Sequence, residues 1–217
     1  SVHMVIFLGE DEDFADQDKE HFSRIVRRNN GKMKMLRGLA ALEDVTSKLS
    51  RFELVDGEWA ETKIQTETLG SITLVSSAED TNVFFFNYEG FLRPDTLFVA
   101  NDGGDSIEPL FSLPSYFDPE GMAVEQHFAT SKDGTKVPYF LVLPKGYEAR
   151  ADLPTLIYGY GGFQSSRTPS YSATVGHAWL ARGGAFVVAN IRGGGEFGPA
   201  WHQAGLKMDR QRIYDDM

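Results

Sequence analysis

Tyr158-Gly159-Tyr160-Gly161-Gly162-Phe163 closes the apolar run Pro154–Tyr160, and Asn190-Ile191-Arg192-Gly193-Gly194-Gly195-Glu196-Phe197-Gly198 closes the apolar run Ala185–Ile191. Each is expected to be a buried strand that opens into glycines. Ala185–Ile191 is wholly apolar, as expected of a parallel strand covered on both faces. Between the two loops, Tyr171–Arg182 has helical spacing and stops at Gly183-Gly184, a suitable C-terminal cap. Beyond the second loop, Pro199 suits the first turn of a helix. Upstream, Val124–Thr130 and Val137–Leu143 read as strands joined by the hairpin-like turn Lys132-Asp133-Gly134-Thr135. From about Gly121 the order is therefore hairpin, strand, helix, strand, helix. That is the opening of an α/β sheet.

Before Gly121 the pattern differs. Val2–Leu8, Ser50–Val55, Glu58–Ile64, Ser71–Val75, Asn82–Tyr88 and Thr96–Ala100 are short apolar runs at fairly regular spacing. Asp56-Gly57 sits between two of them, and that pair suits a two-residue hairpin turn whose central positions need positive φ. An all-β array is expected, with too few strands for a closed barrel but enough for one or two propeller blades. The expected fold class is thus mixed, an all-β portion over residues 1–120 and the first half of an α/β sheet over residues 121–217.

Composition excludes several classes. The formal net charge is -10, so a phosphate backbone is a poor partner and nucleic acid is not expected. The chain has no cysteine, which rules out disulfides, thiolate catalysis and thiolate-bound zinc. No apolar run approaches the length of a membrane span, and no signal peptide is visible. A cytoplasmic location is the expectation, with the periplasm as the alternative. The acidic stretch Glu10–Glu20 lacks the glycine and ligand spacing of a calcium loop and reads as a solvated surface loop. Arg24, Arg27, Arg28, Lys32 and Lys34 read as a solvated strand-and-turn face. The first residues read as a strand under way, and the last carry no helix stop signal, so both ends look cut.

The two glycine loops carry the chemistry. Glycines after a strand let the backbone turn sharply and approach a ligand closely. A tyrosine hydroxyl among them is a neutral donor that could meet a developing anion, though a glycine turn with packed aromatics is the plainer reading. In the second loop Gly193, Gly195 and Gly198 match G-x-G-x-x-G, the dinucleotide fingerprint. Two features weaken that reading. Pro199 places the helix start after the motif rather than inside it, and Glu196 would set a carboxylate near the phosphates.

In this order the segments resemble the prolyl oligopeptidase family. The resemblance runs over Val124–Met217. It rests on E-Q-H-F-A-T-S-K-D-G-T-K-V-P-Y-F (Glu125–Phe140), Y-G-Y-G-G-F, T-P-S-Y-S (Thr168–Ser172), N-I-R-G-G-G-E-F-G and Trp201-His202. Earlier residues match loosely, as the last blades of that family's propeller. The family joins a seven-bladed propeller to an α/β-hydrolase domain with a Ser-Asp-His triad. The resemblance implies that Tyr160 is an oxyanion-hole donor and that Phe163 lines the proline pocket. It implies short proline-containing peptides as substrates and no metal or cofactor. A neighbouring branch, oligopeptidase B, cleaves after basic residues and shares the glycine segments; Phe163, Thr168-Pro169 and Asn190-Ile191 look more like the proline-specific branch.

One departure is large. The nucleophile elbow G-x-S-x-G is absent from the 217 residues. Ser165 and Ser166 have no elbow, and His3, His21, His127, His177 and His202 show neither metal spacing nor a nucleophile partner. The chain is expected to be an internal fragment, inactive alone, whose partner is the missing remainder of its own polypeptide. Ala185–Ile191 is expected to lack the neighbouring strand that carries the serine. A non-catalytic binding module is the second reading, and a nucleotide-binding oxidoreductase the third.

Overall fold

Short runs of β-branched and aromatic residues, broken by turn residues, fold here as three sheets. The computed structural model describes residues 34–38, 45, 47–55, 58–67, 69–77, 81–147 and 152–217. The first sheet holds Lys34–Gly38 (β1), Leu49–Val55 (β2) and Glu58–Ile64 (β3), antiparallel in the order β1-β2-β3. Val55 faces Glu58 across β2 and β3, as a two-residue hairpin connection requires. The turn residues Asp56-Gly57 lie outside the described residues, as do Val2–Leu8, Glu10–Glu20, His3, His21 and the basic run up to Lys32.

The second sheet is a meander of Gly70–Ser77 (β4), Phe84–Gly90 (β5), Thr96–Asn101 (β6) and Ser106–Ser112 (β7). Alternation builds it. Phe84, Phe86 and Tyr88 point inward from β5, and Thr96, Phe98 and Ala100 from β6. The rings of Phe86 and Phe98 stack at 5.2 Å between centroids, and with Leu49 and Ile64 they join the first sheet to the second in one core. The sequence reading missed β7. Pro109 and Glu108 break its pattern, and a proline is tolerated there because β7 is an edge strand.

The third sheet takes Ala123–Thr130 (β8), Lys136–Leu143 (β9), Thr155–Gly159 (β10) and Ala185–Ala189 (β11) in the order β10-β11-β9-β8. Strand β10 runs parallel to β11, and the other pairs are antiparallel. Three helices follow among the described residues: Ala173–Ala178 (α1), Gly198–Gln203 (α2) and Gln211–Asp215 (α3). The Ser172 hydroxyl caps α1 by accepting the Val175 N–H at 3.2 Å. Pro199 stands in the first turn of α2, where its missing N–H costs nothing. One face of the sheet packs Phe140, Val142 and Val188 against Phe91 and Phe117, so the linking residues of the second sheet share a core with the third. Val137, Ala189 and Ile191 pack on Ile213 from the other face.

Three expectations need correction. The helical stretch Tyr171–Arg182 is a six-residue α-helix and then a 3-10 turn, Leu180–Arg182. The break falls at Trp179, whose indole N–H donates to the Ala185 carbonyl at 2.7 Å. The run Pro154–Tyr160 is not buried: Leu156, Ile157 and Tyr158 are exposed. Nor does Ala185–Ile191 lack a neighbour. β11 is flanked by both β10 and β9, and the open edge belongs to β10.

Candidate active site

Parallel pairing puts two loops side by side. Because β10 and β11 run the same way in register, Gly159 opposite Ala189, their carboxyl ends reach the same rim of the sheet. In open α/β sheets that rim is where ligands bind. The loops interlock through glycines. A Cβ on Gly161 would stand 2.3 Å from the Arg192 carbonyl oxygen, and one on Gly195 would stand 2.3 Å from that of Gln164. Only glycine allows backbones to approach so closely.

Polar side chains fasten the contact. Glu196 Oε1 accepts the Arg167 N–H at 2.8 Å and the Asn190 side-chain amide at 3.2 Å, and that amide also donates to the Arg167 carbonyl at 2.7 Å. Glu196 is 1% exposed, and its other oxygen has no hydrogen-bond partner. Burial raises its carboxyl above the ordinary range, opposed by the Arg167 N–H and the Asn190 amide. On the other side of the loop, the Arg192 guanidinium grips Asp216 and also donates to Asp133 at 2.6 Å and to the Ser131 hydroxyl at 3.2 Å. His202 sits beneath the second loop. Its Nδ1 lies 2.7 Å from the Gly193 carbonyl oxygen and 3.1 Å from the Gln164 backbone nitrogen, whose N–H also reaches that carbonyl at 3.3 Å.

The rim encloses a cleft of about 570 Å³ lined by Tyr160, Gly162, Phe163, Ile191, His202 and Arg210 among others. Tyr160 is half-buried immediately beyond the end of β10. Phe163 stands at the cleft 91% exposed. Phe163 and Gln164 have φ of 55° and 54°, and Ser165 N–H bonds back to the Gly162 carbonyl at 3.1 Å. Two non-glycine residues in the left-handed region are a strained way to turn, and such strain gathers at functional loops. Neither Ser165 nor Ser166 bonds to a histidine among the described residues. His127 pairs with Glu125 at 2.7 Å on the outer hairpin strand, away from the loops. No group of three or more metal-ligating side chains occurs among the described residues.

The nucleotide reading of the second loop finds no support in this arrangement. Glu196 turns inward, α2 begins only at the last glycine of the motif, and the loop is packed against its neighbour. The Arg192–Asp216 and Glu196–Asn190–Arg167 clusters were not anticipated. Their members lie 24, 29 and 6 residues apart with no periodicity to link them.

Residues 169–217 match the prolyl oligopeptidase family, and residues 20–110 match the N-terminal beta-propeller domain of prolyl oligopeptidase. An uncharacterized peptidase of Sinorhizobium fredii, y4nA, is 48% identical over 178 residues, covering 82% of this chain and 24% of its own length. The structure of a post-proline cleaving enzyme from Rickettsia typhi superposes with a TM-score of 0.67 at 34% identity, over 79% of this chain and 25% of that one. Oligopeptidase B from Leishmania major superposes with a TM-score of 0.66 at 26% identity, over 79% of this chain and 26% of that one. The chain spans about a quarter of the length of these relatives.

Proposed function

The chain belongs to the prolyl oligopeptidase family, and on that premise we propose that it forms part of a serine peptidase cleaving short peptides after proline. The position of Tyr160 carries this reading: a phenol at the carboxyl end of β10, on the rim of the cleft, beside an exposed aromatic. The reaction is acyl transfer through a serine ester, with the serine outside these 217 residues. When that hydroxyl attacks the proline carbonyl, the π electrons move onto oxygen. Tyr160 then donates its O–H to the oxyanion, alongside a backbone N–H next to the serine. Phe163 offers its ring to the pyrrolidine. The interlocked glycine loops hold both residues on a rigid base.

Proline is favoured over a basic residue by what lines the cleft. Phe163 gives an apolar wall, Arg210 adds a positive charge, and the described lining includes no carboxylate to receive a guanidinium. We place the boundary between the propeller part and the hydrolase part near residue 120, between β7 and β8. A full-length protein carrying these residues should hydrolyse a chromogenic peptide with proline before the scissile bond far faster than one with arginine. The reverse preference would overturn the assignment.

A further inference from the structure

Arg167 lies over Tyr160. Its guanidinium carbon is 4.5 Å from the centroid of that ring and 5.8 Å from the centroid of Tyr158. The face of a phenol is its negative side, so a guanidinium held there is attracted to it. The placement is built rather than incidental. Both backbone polar groups of Arg167 are tied down, the N–H to Glu196 and the carbonyl to Asn190. Those two side chains are themselves buried. Its Nε is buried without a hydrogen-bond partner.

A fixed cation on the ring face does two things. It holds the ring in one orientation, and it draws electron density away from the hydroxyl. A phenol so polarised donates a stronger hydrogen bond, and the advantage grows as charge builds on the acceptor. We propose that Arg167 is a positioning residue for Tyr160, orienting its ring and strengthening its donation to the oxyanion. Arg167 touches no substrate in this role and acts only through the phenol. The proposal rests on the oxyanion reading of Tyr160.

A double-mutant cycle in a full-length enzyme carrying these residues tests it. Arg167→Met keeps an unbranched apolar stem but removes the guanidinium and its charge. Expected is a drop in kcat of about 3- to 10-fold with little change in KM, as a partly desolvated cation–π contact implies. Arg167→Lys should recover part of the loss. With Tyr160→Phe already present, Arg167→Met should cost nothing more. If Arg167→Met is harmless, or costs the same factor with and without the hydroxyl, the proposal falls while the oxyanion reading stands. If Tyr160→Phe alone leaves kcat unchanged, the oxyanion reading falls and takes the proposal with it. Should the methionine variant fail to fold, Arg167→Gln serves in the same cycle.

Discussion

Arg192 meets Asp216 through four hydrogen bonds: Nη2 donates to Oδ1 at 2.6 Å, Nε to Oδ2 at 2.9 Å and to Oδ1 at 3.2 Å, and the Arg192 backbone N–H to Oδ2 at 3.0 Å. The Arg192 side chain is 4% exposed and that of Asp216 is 0% exposed. The Ser131 hydroxyl adds a fifth bond to Asp216, at 2.6 Å. The pair nails the base of the second glycine loop to α3 and to the β8–β9 turn. Asp216→Ala strips the counter-charge from a buried guanidinium, and about 3–5 kcal/mol of stability should be lost. Asp133 touches the same guanidinium from a 42% exposed position, so Asp133→Ala should move the unfolding midpoint far less. Urea unfolding of the full-length protein, followed by tryptophan emission, compares the two. Equal losses would mean that Arg192 is solvated in practice.

Acid and base should act on opposite sides of this loop. Burial alone would raise the Asp216 carboxyl, but the Arg192 guanidinium and Ser131 hydroxyl outweigh it and hold the group below its ordinary range. Its contribution is present at neutral pH and is lost as pH falls through the depressed folded value. Glu196 is raised instead, so its folded form binds the proton more tightly than the unfolded chain does. Its contribution is present in acid and is lost as pH rises through the raised folded value. Glu196→Gln keeps the acceptor for the Arg167 N–H and cannot ionise. The variant should therefore gain on wild type as pH goes from 5 to 8, read as unfolding midpoints at each pH. A gap that stayed constant, or moved the other way, would show that Glu196 is stable as a carboxylate.

Why the loops were legible and their fastenings were not follows from distance along the chain. A glycine run after an apolar strand is a local signal, so both loops could be singled out from a few residues each, whereas Tyr160 and Phe163 were marked out by the family resemblance. The hairpin around Lys132–Thr135 was legible for the same reason, and the structure pairs Thr130 with Lys136 across it. Strand β7 hid because Pro109 spoils its alternation. Glu196 and Arg192 sit within the second glycine loop, and nothing local tells a buried charge from a solvated one there. Which strand stands at the edge of the sheet depended on strand order, a property of the whole sheet, and Ala185–Ile191 alone carries no trace of it.

Strand β10 sets the behaviour of the 217-residue chain alone. It is an edge strand with Leu156, Ile157 and Tyr158 exposed, and an unpaired apolar edge invites pairing with another chain. The isolated chain should bind an apolar dye, self-associate with rising concentration, and fail to hydrolyse a proline-containing chromogenic peptide. Light scattering, dye fluorescence and a peptidase assay on one preparation check all three. A monodisperse monomer that ignored the dye would show that β10 is covered by some other route. Turnover blocked by a serine-directed phosphonate would show that these residues hold a nucleophile after all.

Tyr160 and Phe163 lie three residues apart on one loop, yet their substitutions should fail differently. On the oxyanion reading proposed for it, the Tyr160 hydroxyl should matter when negative charge sits on the carbonyl oxygen, and much less when the substrate merely binds. Tyr160→Phe keeps the ring under Arg167 and removes only the donor. In the full-length enzyme kcat should fall about 10²–10³-fold, or ~2.7–4 kcal/mol, with KM nearly unchanged. On the proposed reading, Phe163→Ala removes an apolar wall that would touch the substrate in both ground and transition states. It should erode the preference for proline over alanine by about 1–3 kcal/mol and leave the alanine substrate almost untouched. Both variants are measured on paired proline and alanine peptides. A Tyr160→Phe enzyme that raised KM alone would return the tyrosine to a packing role. A Phe163→Ala enzyme that slowed both peptides equally would mean that its ring supports the strained turn at Phe163-Gln164 rather than the pyrrolidine.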